Sequence, residues 1–405
     1  MDVKVACLVG SLDTKGEEFL FLKERIEAQG VQTLVMDGGV MGEPAFAPDI
    51  PASETAKAAQ TDLETLRSRG DRGEAVAAMA DGAARLAADL FAEGKIDGVV
   101  SLGGSAGTTI GTAAMRALPF GAPKVMVSTL ASGNVQPYVQ TKDIAMIYPI
   151  VDVAGLNSVL RRSIANAAAC ICGMLNAPPL ESSADRPVVA ATMFGVTTPC
   201  VTAARAVLEE AGYETLVFHA TGVGGQAMES LIRDGAVQGV LDITTTELAD
   251  ELVGGILSAG PDRLNAAAQA GVPQIAAPGA LDMVNFGPPG EVPAKFAERI
   301  FYQHNPNVTL MRTTPDECRQ LGETIARKLN ASKAPAAFLF PQKGFSAIDA
   351  EGQPFENAEA RAAFLDGFKS QAGANLELIE LDAHINDAAF AEAAAKALLK
   401  RIEST

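Results

Sequence analysis

The sequence has no tryptophan, and only four of its 405 residues are tyrosine. Histidine is also rare, with three copies. Glycine is far more common, with 38 copies, and alanine and valine are abundant. This composition favours close packing of helices on a sheet and does not favour an aromatic binding surface.

The chain has too few positive charges for a protein whose main partner is nucleic acid or an anionic membrane. It carries 32 Lys and Arg against 49 Asp and Glu, which gives a net charge of −17. No apolar run approaches the roughly 20 residues that a membrane-spanning helix needs. Residues 1–10 have a strand pattern without the basic segment that precedes a signal-peptide core. We therefore expect a cytoplasmic protein with no nucleic-acid partner and no membrane partner.

Cysteine usage indicates a reducing compartment. The five cysteines are odd in number and dispersed along the chain. Cys170 and Cys172 form a C-x-C pair on a predicted helix, a spacing that is typical of neither a zinc site nor a thioredoxin motif. Buried free thiols are the expectation.

Apolar strands alternate with helical segments from the start of the chain, which predicts an α/β fold with doubly wound parallel sheets. In the first half, strands are predicted at Val3–Val9, Thr33–Asp37, Ile96–Leu102, Lys124–Thr129 and Ile144–Val151. Helices are predicted at Glu17–Gln29, Arg72–Glu93, Ala106–Leu118 and Leu156–Leu175. A length of 405 residues suits two domains of ordinary size.

A polar, proline- and serine-rich stretch at Ala177–Arg186 predicts a linker between domains at 1–178 and 187–405. The pattern then begins again. The run from Gly10 to the strand T-L-V-M-D matches a run from Gly195 to T-L-V-F-H, and two further segments match in the same order. A duplicated domain explains three ordered matches. Independent use of the common βαβ pattern is the alternative, and it predicts the same fold class.

The first candidate phosphate-binding loop joins the first strand to its helix and reads G-S-L-D-T-K-G-E. Its candidate contacts are Gly10, Ser11, Asp13, Thr14 and Lys15, and Asp13 could hold Mg²⁺ because this ion prefers carboxylate oxygen and substrate phosphates. The loop is not a Walker motif. An ordinary capped turn between strand and helix is the alternative.

The second candidate loop follows the strand at Ile96–Leu102 and reads G-G-S-A-G-T-T. Glycine lets the backbone approach a ligand, and the free N–H groups of the following helix attract an anion. Its candidate contacts are Gly103, Gly104, Ser105, Gly107, Thr108 and Thr109. A third loop, with Ser128 and Thr129, could complete the rim. Ligands of open parallel sheets bind at such strand ends, so we expect a nucleotide bound there through its phosphates.

A competing dinucleotide fingerprint lies in the second half. Gly222-Val-Gly224-Gly-Gln-Ala227 fits G-x-G-x-x-A, and Asp242 follows at the distance expected of a ribose ligand. The motif, however, follows the second strand of its domain rather than the first. An NAD-linked enzyme is therefore a weaker hypothesis than a protein that binds a nucleotide through the loops of the first half.

Several motifs together resemble a known family. They are G-S-L-D-T-K-G-E-E, S-L-G-G-S-A-G-T-T, V-S-T-L-A-S-G-N-V, H-A-T-G-V-G-G-Q-A-M-E, P-G-A-L-D-M-V-N-F-G, H-N-P-N-V-T-L-M-R-T-T and P-Q-K-G-F-S-A-I-D. The chain is similar over nearly its whole length to the ATP-binding domain of the plant resistance protein against tomato mosaic virus and to that protein's bacterial relatives.

The resemblance implies two Rossmann-like domains, Mg-ATP bound in the first, and a homodimer. It also implies that the Gly222 fingerprint is a family motif of the second domain. In the plant protein the domain restrains viral replication by binding the viral replication protein, a role that a bacterial-type sequence would not keep. No assigned reaction comes with the bacterial relatives.

The second domain carries polar residues that could act on a substrate. The candidates are His304 as general acid or base, Arg312 as a two-point clamp for a carboxylate or phosphate, Lys343 and Asp282. We expect them in loops at strand ends, where α/β enzymes place function. A structural role for each residue alone is the alternative.

Three hypotheses follow. The first is an ATP-dependent enzyme acting on a small acidic or carbonyl compound held across an interdomain cleft. The second is a non-catalytic ATP-sensing or partner-binding protein. The third is the NAD-linked enzyme. The constellation of His304, Arg312 and Lys343 favours the first, because a pure sensor has little need of it.

Overall fold

The computed structural model describes residues 3–178 and 186–405. Most of the predicted linker, residues 179–185, lies outside the described residues. The chain divides into two compact units, Met1–Glu181 and Ser182–Thr405, and each is considered by itself. Within the described ranges, no helix combines the length and the apolar character needed to cross a membrane.

The first unit is built on a five-stranded parallel sheet. Its strands are β1 (Val5–Gly10), β2 (Gln32–Asp37), β3 (Gly98–Gly103), β4 (Lys124–Ser128) and β5 (Ala145–Ile147). They lie in the order β2-β1-β3-β4-β5, and every pairing is parallel. The predicted α/β class is confirmed.

Helices cover both faces of this sheet, because its central strands are apolar on both sides. They are α1 (Leu12–Glu27), α2 (Ala52–Ala58), α3 (Leu63–Arg69), α4 (Arg72–Ala92), α5 (Ser105–Arg116), α6 (Gln136–Val139) and α7 (Ser158–Leu175). Residues Cys7 and Val9 of β1 pack in a core with α4 and α5. Ala6 and Leu8 point the other way and pack in a core with α1 and α7. The sheet is therefore doubly wound.

Two local predictions need correction. Helix α1 begins at Leu12, five residues before the predicted Glu17, with Ser11 as its N-cap and a non-helical backbone at Lys15 (φ −129°, ψ 21°). Sequence reasoning missed the first turn of α1 because most residues of the first loop are polar. Helices α2 and α3 were not predicted, because each has seven residues and is too short for a clear apolar period.

The second unit carries a six-stranded parallel sheet and a small antiparallel one. Its strands are β6 (Val188–Met193), β7 (Glu214–His219), β8 (Gly239–Thr244), β9 (Gln274–Gly279), β10 (Met283–Phe286), β11 (Phe301–Asn305), β12 (Val308–Arg312), β13 (Ala336–Pro341) and β14 (Glu377–Leu381). The parallel sheet has the order β14-β13-β9-β8-β6-β7. Five strands of this sheet, taken in chain order as β6, β7, β8, β9 and β13, are arranged side by side in the same order as β1 to β5 of the first unit. This agreement supports a duplicated domain.

Helices of the second unit again cover both sheet faces. They are α8 (Thr198–Glu210), α9 (Val223–Arg233), α10 (Glu247–Val253), α11 (Ala266–Ala270), α12 (Pro315–Asn330), α13 (Ala358–Gln371) and α14 (Ala388–Ile402). One core joins the sheet to α8 and α14, and another joins it to α12 and α13.

The antiparallel sheet, of order β10-β12-β11, was not predicted. It corrects the expected surroundings of two residues. His304 lies within β11 and Arg312 ends β12, so neither is in a loop at the carboxyl edge of the parallel sheet. Sequence reasoning placed them in loops because Pro306 and the surrounding asparagines are typical of turns.

Candidate functional site

The carboxyl edge of the first sheet brings the predicted phosphate loops together. Strands β1 and β3 are neighbours, and the helices after them leave the sheet on opposite faces. This is the point where the strand order reverses, where ligands of doubly wound sheets bind. The loop after β1 and the loop after β3 therefore share one opening.

A cavity of about 240 Å³ lies between these two loops, and we call it the polar chamber. Ser11, Thr14 and Lys15 line it from the first loop, and residues 103–107 line it from the second. Arg72, from the start of α4, adds a second positive charge. Asp152 also lines the chamber, so the wall carries one carboxylate in addition to the two cations.

A second cavity of about 410 Å³ adjoins the first, and we call it the apolar chamber. The two share Ser11, Thr14, Arg72 and Ala106 as wall residues. The other side chains of the apolar chamber are mainly aliphatic or thioether groups, contributed by Val40, Met41, Leu66, Val76, Met79 and Ile110. One continuous depression thus has a charged half and an apolar half.

The start of α5 supplies backbone donors to the polar chamber. Gly104 is the N-cap residue of this 12-residue helix, and no side chain caps it. The helix N-terminus carries unpaired N–H groups and a partial positive charge, both of which favour an anion. Lys15 and Arg72 reinforce the same preference.

Three glycines of the predicted loops differ in how much space a side chain would have at each position. A Cβ on Gly10 would come within 2.0 Å of the Phe19 ring, and one on Gly103 within 2.9 Å of Gly107 Cα. Close packing therefore accounts for these two. A Cβ on Gly104 would meet nothing nearer than Thr129 Oγ1 at 3.8 Å, although Gly104 lines the chamber. Gly104 is consequently the position where a larger side chain would enter the site without disturbing the fold.

The predicted hydroxyl contacts fall into two groups. Ser11, Thr14 and Ser105 line the polar chamber. Thr108 and Ser128 are buried and hydrogen-bonded to each other at 2.7 Å, so they join α5 to β4 rather than face a ligand. Thr109 Oγ1 donates to the carbonyl of Ser105 at 2.9 Å.

Neither Ser128 nor Thr129 of the third loop lines the polar or the apolar chamber, and the loop instead supports the second loop. The N–H of Thr129 donates to the carbonyl of Gly103 at 3.3 Å. The phosphate roles predicted for Thr108 and Ser128 are corrected to structural ones, because their hydroxyls are consumed inside the protein.

Asp13 has the arrangement expected of a residue that could hold a hard cation. Its Oδ2 accepts hydrogen bonds from the N–H groups of Met41 at 3.0 Å and Gly42 at 3.2 Å. Its Oδ1 is buried and has no hydrogen-bond partner among the described residues. Asp37 lies nearby and accepts N–H groups of Leu12 and Gly39, and burial raises the pKa of its carboxyl.

A magnesium ion bound with a nucleotide needs only one or two protein carboxylates, since phosphates and waters supply the remaining ligands. The orphaned oxygen of Asp13 fits such a site. The described residues contain no cluster of three or more His, Cys, Asp or Glu that could hold a metal by themselves. Any magnesium ion at this edge would therefore depend on the bound phosphates.

The second unit buries Asp282 and Arg312 in one cluster. The Arg312 guanidinium donates to backbone carbonyls of Asp282 and Phe355 and to Asp349 Oδ1. Ser346 donates to Asp282 Oδ2 at 2.7 Å. Burial raises the pKa of Asp282 to about 7. The clamp role predicted for Arg312 is wrong in this structure, because its donors are used inside the protein and its side chain is 3% exposed.

His304 and Lys343 lie outside this cluster. His304 is exposed on β11, whereas Arg312 is at the far end of the neighbouring strand. Lys343 is also exposed and forms an ion pair with Asp382 at 3.0 Å. The structure therefore does not gather His304, Arg312, Lys343 and Asp282 into one site.

The Gly222 fingerprint is occupied by a carboxylate of the protein itself. Glu247 Oε1 accepts the N–H of Gly222 at 2.7 Å and that of Gly225 at 3.1 Å. Asp242, the predicted ribose ligand, is buried and forms a two-point ion pair with Arg263 at 2.5 and 2.7 Å. An internal acid thus accepts the N–H groups that the fingerprint would offer to a pyrophosphate, and this arrangement does not favour the NAD hypothesis.

Family descriptions match both halves of the chain. The N-terminal domain of the Uncharacterised protein family (UPF0261) matches residues 4–179, and the C-terminal domain of the same family matches residues 186–402. The chain belongs to the UPF0261 family. The resemblance stated from its motifs is confirmed.

Relatives in the UPF0261 family extend over nearly the whole chain. A UPF0261 protein of Clostridium tetani is 49% identical and covers 99% of both chains. One of Rhizobium meliloti is 47% identical over 96% of this chain and 97% of its own. The ToMV resistance protein Tm-1(GCR237) of Solanum lycopersicum is 39% identical over 98% of this chain, which spans 55% of the tomato protein.

Sequence reasoning missed Arg72 and the apolar chamber in this UPF0261 protein. Arg72 opens a helix that lies between the two loops in the chain, 55 residues after Glu17 and 31 residues before Gly103. A usable signal was the turn R-G-D-R-G before an alanine-rich helix, because a helix start next to basic residues is suited to anion binding.

Proposed function

We propose that the N-terminal unit binds Mg-ATP at the carboxyl edge of its sheet. The observation that carries this proposal is the juxtaposition of a cationic, glycine-lined chamber with an apolar one of about 410 Å³. A nucleotide has the same two-part chemistry, with anionic phosphates at one end and a planar, weakly polar base at the other. The volume of the apolar chamber is ordinary for a small-molecule pocket.

The phosphates would lie in the polar chamber. There the start of α5 offers backbone donors, and Lys15 and Arg72 offer positive charge. The base would lie between Val40 and Met79 in the apolar chamber. This orientation is favoured because a phosphate placed among aliphatic side chains would lose its hydration without gaining hydrogen bonds.

Asp13 lines the apolar chamber, next in the chain to Thr14 of the wall that both chambers share. From there it would hold the magnesium ion through its unpartnered oxygen, while its other oxygen continues to accept from the backbone of residues 41 and 42. A magnesium ion held there would reduce the negative charge of the phosphates. Ser11 and Thr14 would donate to phosphate oxygens from the wall shared by both chambers.

The test is calorimetric titration of the protein with ATP and Mg²⁺, beside NADH, repeated on Gly104→Val. We expect micromolar ATP binding that the variant loses and no NADH binding. Gly195→Val is the matched control, because a Cβ on Gly195 also meets open space but lies after β6 of the second unit. No ATP binding by the wild-type protein would overturn the proposal.

For the whole protein, we propose an ATP-dependent reaction on a small acidic or carbonyl compound. We also propose that the protein is a homodimer. A non-catalytic ATP-sensing role is the second candidate. The dispersal of His304, Lys343 and Arg312 favours it, since the residues proposed to act on a substrate do not meet. Turnover of ATP with pooled carboxylic acids would support an enzyme, and tight binding without turnover would support the sensor. Sedimentation velocity tests the dimer.

A further inference from the structure

Strand β11 lies at one end of the small antiparallel sheet of the second unit, whose order is β10-β12-β11. It pairs with β12 on one side, and no strand among the described residues pairs with its other side. We propose that β11 pairs antiparallel with β11 of a second copy of this chain, so that the two small sheets become continuous. This inference rests on the proposed homodimer and adds where its two subunits meet.

The first observation is a row of unpaired backbone groups along the open side of β11. The N–H of Arg312 donates to the carbonyl of Ile300 at 2.9 Å, in the same register that pairs Phe301 with Met311. Hydrogen bonding alternates along an antiparallel ladder, so Phe301 and Gln303 direct their N–H and C=O groups away from β12. No hydrogen bond from another described residue reaches these groups. Such an edge is a template for another strand.

The second observation is the exposure of β11. Among the strands at the ends of the described sheets, β11 has four exposed residues out of five, whereas β2, β7 and β14 have at most two each and β5 and β10 have none. Two large apolar side chains lie exposed at its start, Ile300 at 58% and Phe301 at 36%. An open edge with exposed apolar side chains is typical of an interaction surface.

The third observation is the absence of charge along this edge, which favours a second copy of the chain as the partner. Residues 300–311 contain no Asp, Glu, Lys or Arg, although 20% of the whole chain is charged. Two copies that each carry a net charge of −17 repel each other where charged surfaces meet. The uncharged edge avoids this repulsion. It also lacks the lysine that edge strands often carry to prevent pairing.

The regular part of β11 suits pairing about a twofold axis. A bulge between Gln303 and Asn305 ends the regular part of the strand. An axis at Tyr302 places Phe301 opposite Gln303 of the partner subunit, and Tyr302 opposite its own copy. The backbone groups of Phe301 and Gln303 then bond to each other across the axis, so every outward N–H and C=O of these two residues is satisfied. The pairing thus uses the groups that β12 leaves free.

Sedimentation velocity over a range of protein concentrations tests this interface. Gln303→Pro removes an outward N–H from each copy, and proline is tolerated in an edge strand where its nitrogen faces away from the neighbouring strand. The variant should therefore dimerise about tenfold more weakly than the wild type. Gln303→Ala is the matched control, because it loses the side chain and keeps the N–H, and it should dimerise as the wild type does. Circular dichroism verifies that both variants are folded.

Oxidation of Tyr302→Cys tests the register independently. The two copies of this position would form a non-hydrogen-bonded pair, whose Cα atoms lie about 4.5 Å apart, a separation that a disulfide spans. A disulfide-linked dimer should therefore appear on a non-reducing gel. Ala236→Cys is the control, since Ala236 is exposed elsewhere in the same unit. The natural cysteines are buried or half-buried, so the wild type gives the background.

Three outcomes would overturn the proposal. If the wild type is dimeric and Gln303→Pro dimerises equally well, the β11 interface is wrong and the homodimer stands. The same conclusion follows if Tyr302→Cys forms no more disulfide than Ala236→Cys. A monomeric wild type would overturn both the homodimer and the interface, and would leave the edge of β11 to an extended segment of another protein. Calorimetry with ATP tests the nucleotide site separately from all three.

Discussion

Glu247 Oε1 lies 2.7 Å from the backbone nitrogen of Gly222, although 25 residues separate them in the chain. The other carboxylate oxygen of Glu247 accepts from Arg263 Nε at 2.6 Å. One buried acid thus satisfies a glycine turn and pairs with a fully buried arginine. The same turn that predicts dinucleotide binding is, in the folded protein, a structural connection.

The first prediction concerns this connection. Glu247→Ala should lower the free energy of unfolding by about 3–5 kcal/mol, because it leaves buried N–H groups unpaired and removes a partner of Arg263. Glu247→Gln should cost less, since its amide oxygen still accepts from Gly222. Urea unfolding followed by circular dichroism measures both. Glu209→Ala, which removes an exposed ion pair with Arg205, should change stability by about 0.5 kcal/mol or less. Equal unfolding of Glu247→Ala and wild type would contradict the structural role.

The second prediction concerns the cations of the polar chamber. Arg72→Ala and Lys15→Ala should each weaken ATP binding about tenfold, because each removes a positive charge from the wall of the chamber proposed for the phosphates. Arg85→Ala is the control for Arg72, since Arg85 lies on the same helix and pairs with Asp81 at the surface. Calorimetry measures all three. An Arg72 variant that binds as the Arg85 variant does would remove Arg72 from the site.

The third prediction concerns Asp13. Asp13→Asn keeps a carbonyl oxygen that can accept from Met41 and Gly42 but loses the negative charge that attracts Mg²⁺. The increase in ATP affinity caused by millimolar Mg²⁺ should therefore fall several-fold, whereas affinity measured in excess chelator should stay the same or rise. Asp89→Asn, at an exposed position of α4 outside both chambers, serves as the control. Unchanged dependence on Mg²⁺ in Asp13→Asn would exclude it as the metal ligand.

The fourth prediction concerns pH and Asp250. This carboxyl accepts hydrogen bonds from Asn285 and Leu257, yet burial raises its pKa to about 7, and the charge of Glu247 adds to the rise. Because the folded pKa exceeds the unfolded one of about 3.9, the folded state favours the protonated carboxyl. The protonated carboxyl therefore stabilises the folded protein fully below about pH 4. This stabilisation, of about 4 kcal/mol at most, is lost as the pH rises to about 7.

Asp250→Asn isolates this contribution from other buried acids. From pH 4 to pH 7, the free energy of unfolding of the wild type should fall relative to that of the variant. Above pH 7 the difference between them should stay constant. Asp366→Asn, at an exposed position, should show no such trend. Parallel pH profiles of the wild type and Asp250→Asn would show that the hydrogen bonds, rather than burial, dominate the pKa of Asp250.

The sequence alone was sufficient for the fold class and for the family. Continuous apolar runs such as Val5–Gly10 predict strands buried on both faces, and this property is local to each run. The family motifs are local as well, because each consists of consecutive residues, and they therefore identified the family from the sequence. The loops at Gly10 and Gly103, in contrast, lie together because the folded sheet places β1 beside β3, and this order was not evident from the sequence.

Tertiary structure decided which glycine turns are available to a ligand. The turn at Gly104 faces a chamber, whereas that at Gly222 is filled by Glu247, and nothing in either local sequence separates the two cases. Arg72 likewise lies in the wall of the polar chamber because the fold brings it next to segments distant in the chain. The physical reason is that backbone conformation depends mainly on local sequence, whereas burial and hydrogen-bond satisfaction depend on every segment that the fold brings close.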